Sequence, residues 1–137
     1  MSYTFTYQKS SLNNLRVLVV DDNNDSLELI KIILEIHSVL VKVTNSVREA
    51  LLLLAQWNPD VLISDIVMPN DDGYSLIRQI RISKDKWIQQ LPAIAITACV
   101  TEEGRKLAFE SGFSVFAEKP FDPDALIAII AHLTGVK

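Results

Sequence analysis

Five short runs of Val, Ile and Leu, each followed by an amphipathic stretch, constrain this 137-residue chain more than any other feature. Leu15-Arg16-Val17-Leu18-Val19-Val20 is the first, Val61-Leu62-Ile63 the third, and PAIAIT from Pro92 the fourth. Residues 113–118 make the fifth. Such lengths, with β-branched residues, read as buried strands. The second run, residues 39–44, alternates Val39, Val41 and Val43 with Leu40, Lys42 and Thr44, which suits an edge strand with Lys42 outward.

Between the runs lie helical stripes: Leu27, Ile30, Ile33, Leu34 and Ile36, then Ala50, Leu53, Leu54 and Trp57, then Gly73, Leu76, Ile77 and Ile80. Leu126, Ile129, Ile130 and Leu133 form the last. Asn23-Asn24, Ser46 with Glu49, Thr101, and Asp122 before Pro123 supply helix starts. Glu102 and Glu103 favour the first turn after Thr101, Gly104 weakens that start, and Gly112 ends the helix. Residues 84–90 read as a polar connection whose Trp87 folds back on the body. Strict alternation of strand and helix implies parallel strands and right-handed crossovers: one doubly wound α/β domain of five strands and five helices. It is expected over residues 15–137, with residues 1–14 a leader or linker.

Composition narrows the function classes. The chain is 49% hydrophobic with mean hydropathy +0.23, net charge −4 and pI near 5.1. No Lys/Arg cluster marks a nucleic-acid surface. No apolar run approaches the roughly 18–20 residues that cross a bilayer, and the start lacks a signal-peptide pattern. A single cysteine, Cys99, excludes an internal disulfide framework and suits a reducing compartment, so a cytoplasmic domain without membrane contact is expected.

The strand ends carry the chemistry. The first strand runs into Asp21-Asp22, the third into Asp65, the fourth into Thr97 and the fifth into Lys119-Pro120. In a parallel sheet these ends share one rim, where open α/β sheets take ligands. Alone, Asp21 or Asp22 is a helix cap, Asp65 a turn residue and Lys119 a solvated lysine; the set is what points to a site. Clustered carboxylates repel and call for a counter-ion, and a hard divalent cation with oxygen ligands such as Mg²⁺ meets that need. His37 and His132 lack partners at zinc-ligand spacing and read as ordinary surface or boundary residues.

The motifs VLVVDD, LISDIVMPNDDGY, AITA and EKPF, each in register with an expected element between Leu15 and Leu133, resemble those of response-regulator receiver domains. These are the phosphoacceptor half of two-component signalling. The resemblance implies a flavodoxin-like sheet of order 2-1-3-4-5 and a phosphoryl transfer from a phosphohistidine onto Asp65. It implies Mg²⁺ (or Mn²⁺) bound directly by Asp22, Asp65 and the Val67 carbonyl, and through water by Asp21. Lys119 would neutralise charge on the transferred group, Thr97 would be the switch hydroxyl, and Phe116 the aromatic that moves with it. A cis Lys119–Pro120 peptide is implied as well. Val67 and Cys99 occupy positions that tune phosphoryl lifetime in this family; both are apolar, which implies loss over minutes or longer. The domain would be no enzyme beyond catalysing its own phosphorylation and dephosphorylation.

The implied partners are a sensor histidine kinase or the phosphohistidine domain of a hybrid kinase, and a downstream protein that the sequence does not identify. The turn after Asp65 and the GFSVFAEKPF ending look more like receivers attached to hybrid kinases than like stand-alone regulators. Output contacts would fall on the face of the last two helices and the fifth strand, near Phe109, Ile127 and Ala131; pairing of that face with a second copy is left open. Two other classes fit less well. A dehalogenase-type phosphatase wants a second Asp where Val67 stands, and a flavodoxin-like cofactor protein wants a Ser/Thr/Gly-rich loop after the first strand. A pseudo-receiver signalling by contact alone would not need Asp21, Asp22, Asp65, Thr97 and Lys119 together.

Overall fold

The computed structural model describes residues 12–67, 73–98 and 101–135. Its strands are β1 (Arg16–Val20), β2 (Leu40–Thr44), β3 (Val61–Asp65), β4 (Ala93–Thr97) and β5 (Val115–Glu118). Its helices are α1 (Asn24–Ile36), α2 (Val47–Trp57), α3 (Gly73–Arg81), α4 (Lys86–Gln89), α5 (Glu102–Ser111) and α6 (Pro123–Thr134). All neighbouring strands pair in parallel, in the order β2-β1-β3-β4-β5.

Alternate strand residues feed opposite layers, as the period of two dictates. Val17, Val19, Val61, Ile63, Ile94 and Ile96 pack with Leu27, Ile30 and Leu34 of α1 and Leu126 and Ile130 of α6. Leu18, Val20, Leu62, Ala93 and Ala95 pack on the other face with α2, α3 and α5, through Ala50, Leu54, Leu76, Ile77, Ile80 and Ala108. The central strands β3 and β4 have no exposed residue, whereas β2 and β5 are partly open edges.

The expected caps form. Asn23 accepts from the Asp25 and Ser26 N–H groups, Ser46 from Glu49, Thr101 from Gly104 and Asp122 from Asp124. Gly104 donates to the Thr101 hydroxyl at 2.9 Å, and a Cβ there would stand only 3.0 Å from that oxygen. The Lys119–Pro120 peptide is cis.

Five expectations are adjusted. A sixth helix, α4, occupies part of the connection expected to be irregular: Asp85 caps it by accepting from Trp87 and Ile88 N–H, and one turn is too short for a periodic signal. Trp87 does bond back, its Nε1–H donating to the Pro59 carbonyl at 3.2 Å, yet the side chain stays 57% exposed. β5 starts at Val115 because the Gly112 and Phe113 N–H groups are spent on the Ala108 carbonyl that ends α5. Leu12, placed by sequence in the leader, is buried in the α1/α6 layer, while Ile36, placed in the α1 core stripe, is exposed. Ile36 falls two residues past Leu34, on the outer side of the helix. The rest of the leader, residues 1–11, lies outside the described residues.

Candidate functional site

The strand order reverses between β1 and β3, so the crevice opens where their C-terminal ends diverge. Both strands deliver a carboxylate there. Asp21 follows β1, held by its N–H to the Thr44 carbonyl at 3.2 Å, and Asp65 is the last residue of β3. Asp22, next along, is exposed. One carboxylate oxygen from each of Asp21, Asp22 and Asp65 lies within 4.8 Å of the others.

Lys119 closes the cluster from β5. Its backbone N–H donates to the Thr97 carbonyl at 2.9 Å, which ties the end of β5 to the tip of β4. Its Nζ reaches Asp21 Oδ2 at 2.6 Å and Asp65 Oδ2 at 3.3 Å. Asp21 Oδ1 accepts from the Asn23 N–H at 3.0 Å, so both of its oxygens are engaged. Asp65 Oδ1 accepts from the Val67 N–H at 3.2 Å.

Burial, and then the charge of Asp21, push the Asp65 carboxyl above the ordinary carboxylate range against the opposing pull of Lys119. Burial draws the Lys119 ammonium down, but its bond to Asp21 and the charges of Asp21 and Asp65 outweigh that and raise it. Three carboxylates against one ammonium leave a formal excess of two negative charges in a largely buried space. That excess, carried on hard oxygen donors, fits a small divalent cation such as Mg²⁺. Asp22 is exposed, whereas both carboxylate oxygens of the buried Asp21 are already engaged, by the Asn23 N–H and by Lys119.

Thr97, Ala98 and Val67 stand at the same strand-end rim. Thr97 ends β4, 3% exposed, next to Asp65 on β3, whose partner in the register is Ile96. Ala98 is exposed, as is Val67 at 64%, so the lip is open to solvent. Phe116 lies further back on β5, half-buried against the α2/α3/α5 layer. Cys99 and the turn at residues 68–72 lie outside the described residues. Sequence reasoning did not single out Arg105, whose guanidinium carbon is 5.5 Å from the Phe116 ring centroid. The signal was there: Arg105 stands one turn before the core-facing Ala108 and shares its side of the helix.

Among the described residues, no other group of three His, Cys, Asp or Glu side chains could share an ion, and no helix is long and apolar enough to cross a membrane.

Residues 17–131 match the family model of the response regulator receiver domain. An uncharacterised 14.6-kDa protein from the sodA1 3′ region of Leptolyngbya boryana is 40% identical over 88% of this chain and 90% of its own length. Response regulator Rre1 of Synechocystis is 34% identical over 87% of this chain, which spans 51% of that protein. The receiver domain of the Francisella response regulator 1452 superposes with a TM-score of 0.79 at 32% identity, over 89% of this chain and 98% of that one. The converging Asp21, Asp22, Asp65 and Lys119 thus sit in a chain that belongs to the response regulator receiver domains of two-component signalling.

Proposed function

We propose that Asp65 accepts a phosphoryl group from a phosphohistidine and that the resulting charge changes the protein's surface for a partner. The observation that carries this reading is the placement of Lys119 Nζ, 2.6 Å from Asp21 and 3.3 Å from Asp65, beside a third carboxylate at an open strand-end rim. An oxygen of Asp65 forms the new P–O bond as the P–N bond to the donor imidazole breaks, and the ring, which carries a proton on its other nitrogen, leaves as the neutral imidazole. Lys119, freed from part of its hold on Asp65, follows the charge onto the transferred oxygens; catalysis of this kind is positioning and electrostatics. Asp22 and Asp65, with the Val67 carbonyl, would hold Mg²⁺ or Mn²⁺ and Asp21 would act through water; the ion supplies further positive charge against the phosphoryl oxygens. Asn23 keeps Asp21 aimed at Lys119.

On this reading the domain turns over nothing but its own aspartyl phosphate. The donor is a sensor histidine kinase or a phosphohistidine domain, as in a phosphorelay, and the output is a protein contact made in the cytoplasm. Thr97 moves toward the new group and Phe116 follows, which converts about −1.5 to −2 of added charge into a changed surface. Val67 is apolar and cannot hold an attacking water well, so the phosphoryl group persists for minutes or longer.

Incubation with Mg²⁺ and acetyl phosphate should add one phosphoryl group by intact mass, lost over minutes when the donor is removed and never gained by Asp65→Asn. An unchanged wild-type mass would favour a receiver that signals by contact alone. Decay within seconds, without a phosphatase, would refute the long lifetime.

A further inference from the structure

Phe116 lies opposite Ala95 in the β4–β5 register, and Thr97 stands two residues further along β4 on the same sheet face. Ala95 is fully buried, so a small side chain borders the path that a ring moving toward Thr97 would take. Arg105 approaches from α5. Its helix turn is fixed at both ends: the Arg105 N–H donates to the Thr101 carbonyl at 2.9 Å, and Ala108 is buried in the layer that Phe116 packs against. The guanidinium carbon is 5.5 Å from the ring centroid, within cation–π range. Phenylalanine has no hydroxyl with which to fix its orientation, so a hold on this ring comes through its face.

We propose that Arg105 is the positioning residue of this switch: it holds the Phe116 ring on the α5 side and thereby sets how strongly the unphosphorylated surface is favoured. The inference rests on the reading of Thr97 and Phe116 as a coupled pair. Inward movement of the ring loosens the guanidinium contact, and Arg105, on the helix that follows the Thr97 loop, is itself part of the surface that changes. The resting balance thus depends on a cation and not on a hydrogen bond. An exposed cation–π contact shifts such a balance by about two- to five-fold.

The test uses the full chain labelled with 4-fluorophenylalanine. The Phe116 resonance among the five phenylalanines is assigned by its loss in Phe116→Leu. Arg105→Leu removes the cation and keeps bulk; Arg105→Lys keeps the cation. Arg105→Leu should raise the inward Phe116 population without phosphoryl mimic, and should lower the beryllofluoride concentration for half-saturation in Mg²⁺ by about two- to five-fold. Arg105→Lys should return both readouts toward wild type, which a merely structural role for the side chain would not produce. A wild type that responds to beryllofluoride, with Arg105→Leu matching it in ring population and half-saturation, overturns this inference and leaves the phosphoacceptor reading intact. A wild type that ignores Mg²⁺ and beryllofluoride removes both.

Discussion

Asp65 ends a strand with no exposed residue, has Asp21 as its neighbour, and shares one lysine with it. Its raised pKa follows from burial first and Asp21 second. A carboxylate whose pKa is higher folded than unfolded stabilises the protein below the unfolded value and loses that contribution as pH rises through the folded one. At neutral pH, therefore, ionised Asp65 weakens the fold. Asp65→Asn should raise stability at pH 7 without metal by about 1 kcal/mol, a few degrees in Tm at this length. The advantage should vanish on the acid side, where wild-type Asp65 is protonated, and shrink in Mg²⁺, which offsets the same repulsion. Urea midpoints at two pH values, with and without Mg²⁺, check this; equal midpoints at pH 7 would mean that Lys119 already compensates for burial. The carboxylates and Lys119 were legible in the sequence because a strand's end marks where its side chain will stand. Which carboxylate is buried was not, since that depends on how tightly Lys119 reaches Asp21 across the sheet.

At the scale of elements, the caps and core stripes were readable because each rests on contacts within about one turn of helix. The contacts that join helices to each other were not. Arg81 closes α3 by donating from Nε to the Gly112 carbonyl and from Nη1 to the Gln89 carbonyl, both at 2.8 Å, and so ties α3, α4 and the end of α5 together. Burial lowers the pKa of this guanidinium, the sign of a cation taken partly out of water. Gly112 has φ +123°, and a Cβ there would stand 2.6 Å from Arg81 Cγ. Gly112→Ala therefore meets two obstacles, a backbone conformation that L-residues rarely adopt and a displaced arginine, and should cost about 2–4 kcal/mol. Arg81→Ala removes the steric obstacle but strands two carbonyls, for about 1–3 kcal/mol. The double variant should cost less than the sum, because the alanine at 112 no longer meets Arg81. Chemical denaturation of the four proteins measures the coupling; strict additivity would show that the two residues do not share the strain.

Across the whole molecule, periodicity gave the three layers, but strand order came from resemblance to a family, because no local pattern records which strands become neighbours. If Asp65 is phosphorylated as proposed, that order sets which strands stand between the added charge and each surface. β4 lies between β3 and β5, and the Lys119 N–H bonds the Thr97 carbonyl, whereas β2 lies on the far side of β1; on the proposed function the change would therefore run from β3 through β4 to β5. The apolar surface on the receiving side is carried by α5, where Leu107 and Phe109 are 40% and 46% exposed. Ile127 and Ala131, expected from sequence to serve the same face, are half-buried against the α1/α6 layer and leave less of themselves for a partner. Hydrogen exchange with and without Mg²⁺ and beryllofluoride should consequently change most across residues 101–118 and least across β2 and α2, at residues 40–57. Asp65→Asn should flatten the difference everywhere. A change spread evenly over both regions, or confined to residues 40–57, would show that the signal does not travel through the β4–β5 link and that the surface it reaches lies elsewhere.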